Sequence, residues 1–301
     1  MKIVVTGASG FVGTALSRFL LEQGHTVTGL GTSRESGLES DAGFEWIRAD
    51  TTRPGKWQEA VADADGVVNL AGRTIFKRWT RAYKSQIVES RLKTTGHIVS
   101  AMTGENRVLL STSAVGYYGS RGDELLDEQA RAGDDFLARL SVDWEKAALA
   151  AEQKGVRVAI MRFGVVLGAG GGALSRMVPA FRSFAGGPLG NGRQWFSWIH
   201  LTDLLGAVRF LIENGNSQGV YNFCAPGAVR QKTFARSLGR VLGRPALVPA
   251  PSIALRLMMG EMANMLLVSQ RVVPQRLIEE GFTFRFPDVD GALADLLKAS
   301  P

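Results

Sequence analysis

The sequence predicts an α/β fold: a doubly wound parallel sheet followed by a smaller, mostly helical C-terminal lobe. Three observations predict it. Short β-branched and apolar runs alternate with helix-length amphipathic stretches through the first 225 residues. Several of these runs are apolar throughout, as a sheet covered on both faces requires. A glycine-rich turn joins the first run to the first helical stretch, and strand–helix alternation of this kind marks the doubly wound arrangement.

Taken in order, the strand candidates are residues 2–6, 26–30, 44–48, 66–70, 107–111 and 157–162, with helical patterns at 11–23, 82–102 and 136–154. Composition shifts at Gly168. Eight glycines fall between Gly168 and Gly192 around a helical pattern at 173–184, which argues against a sheet strand and for a flap, residues 168–199, with a helix in it. After Pro226 the chain reads as mostly helical, punctuated by Pro245, Pro249, Pro251, Pro274 and Pro287. The expected division is therefore a sheet domain, 1–225, carrying the flap, and a small substrate-side lobe, 226–301.

At 301 residues, 45% hydrophobic and 21% charged, the chain has ordinary globular composition, which excludes disorder and coiled coil as its main architecture. Its net charge of +7 favours anionic partners. No Lys/Arg run of nucleic-acid type accompanies that charge, so a phosphate-bearing small ligand is expected rather than a polynucleotide. Cys224 is the single cysteine, which excludes intramolecular disulfides and points to a reducing compartment, the cytoplasm. His25, His97 and His200 lie too far apart in sequence to suggest a metal site. The start carries no signal-peptide pattern, and charges interrupt the apolar stretches at 155–168 and 252–268, so no membrane span is expected.

The first strand runs into Gly7-Ala8-Ser9-Gly10-Phe11-Val12-Gly13 and then a helix. Small residues there let the backbone turn tightly and approach a pyrophosphate, which the helix N-terminus stabilises. About twenty residues beyond Gly13, where an acidic residue would accept from the ribose of NAD, stand Ser33 and Arg34. A hydroxyl and a guanidinium suit a 2′-phosphate, which favours NADP(H) over NAD(H); Glu35 next door is the alternative partner for NAD(H).

The spacing of VTGASGFVG resembles the extended short-chain dehydrogenase/reductase family. So do residues 69–72 (Asn-Leu-Ala-Gly), Asp50 where that family contacts adenine, the Ser-rich stretch 111–119, and the Trp-Ile-His-Leu-Thr-Asp at 198–203. Trp144-Glu145, the glycines around 164–172, Gly192-Arg193-Gln194 and the tail from Gly260 to Phe282 resemble its "epimerase family protein" branch. The resemblance implies a Rossmann domain whose cofactor site is lined by Gly7, Ser9, Gly10, Phe11, Val12, Gly13, Ser33, Arg34, Asp50, Leu70, Ala71, Gly72, Arg91 and Val166.

That family usually works with Ser, Tyr and Lys, the phenol exchanging the proton and a lysine four residues later tuning it. The pair belongs near 135–146, yet the tyrosines are at 83, 117, 118 and 221. The nearest lysine register is Val142-x-x-x-Lys146; shifting it by one gives Ser141 and Glu145. The substitutes the sequence offers are Ser113 (or Ser111), Tyr118 (or Tyr117) and His200. Arg193, Gln194, Trp195 and Trp198 form a donor-rich aromatic cluster suited to a small anionic or planar substrate. Two functions follow: an NADP(H)-dependent oxidoreductase or isomerase with an atypical proton donor, or a catalytically silent cofactor sensor. A third reading uses the positive charge to bind an acidic protein.

Overall fold

The computed structural model describes residues 1–298. Its core is a seven-stranded parallel sheet: β1 (Lys2–Thr6), β2 (Thr26–Gly31), β3 (Phe44–Arg48), β4 (Gly66–Asn69), β5 (Val108–Ala114), β6 (Arg157–Phe163) and β7 (Gly219–Phe223), in spatial order β7-β6-β5-β4-β1-β2-β3. The order reverses direction between β1 and β4, and ligands of open α/β sheets bind outside the strand ends at such a switch point. Helices α1 (Phe11–Glu22), α2 (Trp57–Asp63), α3 (Arg81–Ala101), α4 (Phe136–Leu149), α5 (Leu174–Arg182) and α6 (Leu201–Glu213) follow in chain order. One apolar core joins the sheet to α1 and α6, and a second joins it to α2, α3 and α4. Every residue of β4 is buried, which explains why Val67 and Val68 stand side by side without polar alternation.

All six expected strands form, with β5 running three residues further. The seventh, β7, carries no comparable sequence signal because Asn222 interrupts it. That asparagine is buried, its Nδ2 donating to the Val273 carbonyl and its side-chain oxygen accepting from the Tyr118 hydroxyl. Polar partners thus replace the apolar contacts that a strand pattern advertises.

The flap carries its helix, α5, where the pattern put it. The expectation that its glycines form no strand is corrected. Gly171–Gly172 pairs antiparallel with Val165–Gly168, because these glycines lie on the Phe11 ring, and a Cβ on Gly171 would stand 2.2 Å from it. Only a residue without a side chain permits that approach.

Beyond Pro226 come α7 (Gln231–Leu242), α8 (Ser252–Met259), α9 (Asn264–Leu267), α10 (Gln275–Glu279) and α11 (Val289–Lys298). Their core is shared with the flap: Phe234, Leu238 and Leu293 pack with Leu174, Phe181 and Trp198. Lys84 at the start of α3 pairs with Glu261, fastening this lobe across the sheet edge. The flap (168–199) and residues 226–260 together hold nine lysines and arginines and no aspartate or glutamate. No residue of α8 is buried, and Ile253, Leu257 and Met258 stand exposed on it. Among the described residues, no helix is long and apolar enough to cross a membrane.

Candidate functional site

A cleft of about 740 Å³ opens above the switch point, between α1, α4, the flap and α9. Its floor begins at the glycine turn. Gly7 has φ +68°, and a Cβ there would meet the Leu70 carbonyl at 3.1 Å, so the turn lies directly against the end of β4. The Thr6 hydroxyl accepts from the Leu70 and Ala71 amides and donates to Asn69, whose amide reaches Thr95 on α3. This buried network fixes β1, β4 and α3 together. Gly10 caps α1 with no side-chain acceptor, and the first turn of α1 holds no acidic residue, so its amides remain open to an anion. Phe11 and Val12 line the cleft, as does Val166 opposite.

Arg91 supplies the second positive group. Its guanidinium donates to the Arg73 and Ile87 carbonyls, lies 5.0 Å over the Trp144 ring, and packs beneath Gly72. Burial pushes its pKa down to about 10, with no carboxylate among the groups acting on it. It therefore stays cationic at neutral pH and presents an uncompensated charge to the cleft. At the end of β2, the Ser33 hydroxyl bonds that of Ser9 at 3.0 Å, tying this loop to the glycine turn, while Arg34 is exposed. The Asp50 carboxylate accepts from the backbone and hydroxyl of Thr52, which hold its pKa below the usual range. These residues thus lie along the C-terminal ends of the strands, from Asp50 through the glycine turn to Arg91.

The three proton-donor candidates are not brought together there. Ser113 is buried and donates to Glu145 at 2.6 Å. Glu145 in turn takes Arg162 bidentately, at 2.8 Å on each oxygen, and the same guanidinium donates to Tyr118. Tyr118 is fully enclosed, its hydroxyl donating to Asn222 at 2.7 Å, and burial pushes its pKa up. Neither Ser113 nor Tyr118 lines the cleft. Both sit in a buried ionic network in which each hydroxyl hydrogen already has an acceptor.

His200 is likewise engaged by its own neighbours. Its Nδ1 accepts from the Thr202 amide and caps α6, its ring stacks on Phe286 at 3.9 Å, and Nε2 stands 3.4 Å from the Asp295 carboxylate. Asp203 accepts from the Arg285 and Phe286 amides. The His-x-x-Asp pair is a clip between α6 and the C-terminal lobe.

The cleft face of α4 also differs from the register read in the sequence. Val142 and Lys146 point to solvent, whereas Leu137, Leu140, Ser141 and Trp144 line the cleft. The pairs of α4 spaced four residues apart toward the cleft, Phe136 with Leu140, Leu137 with Ser141 and Leu140 with Trp144, thus hold neither phenol nor ammonium. Helical periodicity alone could have found this register, because Trp144 and Leu140 mark the apolar face.

The Arg193 cluster anchors the flap. Gln194 donates to the Leu189 and Leu266 carbonyls, and Trp198 donates to the Gly227 carbonyl. Trp195 lies between Arg230 and Arg271, 4.2 and 4.7 Å away. Arg193 borders a second cavity of about 520 Å³ with Arg230 and Lys232, outside the cleft. Among the described residues, no group of histidines, cysteines and carboxylates is placed to hold a metal.

Comparison with known proteins adds to this geometry. Residues 3–224 match the model of the NAD dependent epimerase/dehydratase family, and residues 250–296 match a domain of unknown function, DUF1731. An Arabidopsis thaliana protein, "Epimerase family protein SDR39U1 homolog, chloroplastic", is 39% identical over 99% of this chain and 87% of its own length. The crystal structure of human epimerase family protein SDR39U1 (isoform 2) with NADPH superposes with TM-score 0.86 at 34% identity, covering 99% of this chain and all of that one. UDP-glucuronic acid 4-epimerase from Bacillus cereus shares the fold at TM-score 0.80 and 18% identity, covering 99% of each chain. By the extent of its family match and the identity of its full-length relatives, the chain belongs to the NAD dependent epimerase/dehydratase family.

Proposed function

We propose that the protein binds NADP(H) and works as an oxidoreductase on a small molecule, without a tyrosine of its own to move the proton. The observation that carries this reading is that half-buried Arg91, with no carboxylate partner among the described residues, faces the same cleft as the N-terminus of α1. Two uncompensated positive groups around one cavity suit a phosphorylated ligand. Ser33 and Arg34, beside the glycine turn, suit a 2′-phosphate, and the human relative was crystallised with NADPH.

When bound, the nicotinamide supplies or takes up a hydride. The chain's own part is positioning: the glycine turn and Arg91 hold the phosphates, while Phe11, Val12 and Val166 wall the cleft. With Leu137 and Ser141 on the cleft face of α4, no phenol–ammonium pair stands there to handle the proton. The single buried Cys224 supports a reducing compartment, the cytoplasm.

Thermal melting tests the cofactor. NADPH should raise Tm more than NADH at equal concentration, and Arg34→Ala should shrink that preference, since a ligand of the native state alone stabilises it by mass action. Equal shifts would hand the ribose to Glu35 and reverse the assignment. The missing phenol and ammonium also favour a second reading, a cofactor-responsive regulator. NADPH binding with no NADPH oxidation across a carbonyl panel would select it.

A further inference from the structure

Resting on that reading of the cofactor, we infer that the other half of the cleft takes a predominantly apolar substrate, an aromatic ring or an acyl chain, bearing one anionic group. It does not take a sugar nucleotide. The wall beyond the cofactor residues is built of Ile75, Phe76, Trp79, Phe136, Leu140, Met265 and Val268.

Most polar groups in that wall are already engaged, and Ser141 and Asn264 are the uncharged polar side chains left open to a ligand among the described residues. Trp79 donates its ring N–H to the Ile75 carbonyl, and Gln270 donates to the carbonyls of Val115 and Gly119. Ser175 donates to the Gly172 carbonyl, and Asp135 caps α4 through the Ala138 amide. Lys84 and Glu261 neutralise each other at the mouth. A hexose would bring several hydroxyls against surfaces with few donors and acceptors left to meet them, and unmatched polar groups discriminate strongly against a ligand. An apolar body loses nothing on such walls and gains by leaving water.

The charge at the rim is equally specific. Arg176 lies 4.8 Å over the Phe76 ring, and Arg139 donates to the Asp134 carbonyl. Both are exposed at the cleft edge, and neither is ion-paired among the described residues. A carboxylate or sulfonate at one end of an apolar ligand would meet these guanidinium groups with its charge still partly in water.

The test uses full-length, NADPH-saturated protein and two matched probes: 1-anilinonaphthalene-8-sulfonate, and uncharged N-phenyl-1-naphthylamine. Fluorescence titration should show both binding. Phe76→Asp and Met265→Asp should weaken each at least tenfold. Arg176→Glu should weaken the sulfonate several-fold at low salt and leave the neutral probe unchanged. Leu257→Glu, on the exposed face of α8, should leave both affinities intact. The Tm shift given by NADPH checks folding and the cofactor reading separately: its absence with probe binding retained would sink that reading, not this one. Displacement of the sulfonate by UDP-glucuronic acid at lower concentration than by dodecanoate would overturn the proposal. So would probe binding that Leu257→Glu abolishes and Phe76→Asp leaves untouched.

Discussion

Gly10 and Gly13 stand three residues apart in one turn and serve different ends. A Cβ on Gly13 would fall 2.2 Å from the Gly7 carbonyl oxygen, inside the turn itself, whereas one on Gly10 meets only that oxygen, at 3.1 Å. Gly13→Ala should therefore destabilise the protein whether or not ligand is present, by about 1–3 kcal/mol or more as backbone atoms are forced apart. Gly10→Val should keep most of the fold and lose the NADPH-induced rise in Tm, because its side chain occupies the space a pyrophosphate needs. Retained NADPH affinity in Gly10→Val would show that both glycines serve the turn alone. Tyr118 gives the complementary case. Tyr118→Phe removes the hydroxyl that joins Arg162 to Asn222, and leaving those buried groups short of a partner costs about 1–3 kcal/mol. Urea denaturation should record that loss, while NADPH affinity and any turnover stay within a few-fold. A hundredfold fall in kcat would restore the phenol to the mechanism.

At the scale of elements, the clip formed by the first turn of α6 invites a pH experiment. Burial holds the His200 pKa below 6.5, with Asp295 opposing. Between that lowered value and 6.5 the unfolded chain binds a proton that the folded chain refuses, so stability is full above 6.5 and falls as the pH drops through this window. His25 is lowered by burial too, and Glu128 is raised by it, so the informative quantity is a difference. His200→Asn, which keeps an acceptor for the Thr202 amide, should lose less Tm than the parent between pH 7.5 and 5.5. Parallel curves would assign the acid sensitivity elsewhere. The clip also shows what the sequence could and could not convey. Periodicity exposed the strands and α4 because burial on fixed faces writes itself into residue spacing, and the glycine turn was legible because its close packing against β4 demands small residues. The roles of Ser113, Tyr118 and His200 were not legible. Each is decided by a partner 32, 104 or 95 residues away (Glu145, Asn222 and Asp295), and nothing local to these residues names that partner.

For the whole molecule, the decisive arrangement is that flap and lobe share one core and close over an α/β sheet whose switch point holds the phosphate turn. The nine cations of residues 168–199 and 226–260, of which Arg230 and Arg240 pair with Asp123 and Asp290 from other segments, leave this part of the assembly with a net positive charge. Arg176 brings that charge to the rim of the cleft. Its consequence is kinetic. An anionic dinucleotide diffusing toward the molecule is drawn to the correct side before it touches anything, so the association rate constant should be fast at low ionic strength and drop steeply as salt shortens the Debye length from about 30 Å at 0.01 M to about 8 Å at 0.15 M. The dissociation rate constant, governed by short-range contacts inside the cleft, should change far less. Stopped-flow mixing with NADPH across that salt range separates the two, and Arg182→Glu with Arg244→Glu, both exposed and away from the cleft, should slow capture without hastening release. If salt acted chiefly on release instead, this positive surface would contribute nothing to the encounter, and the charge of the flap would be a property of its solubility alone.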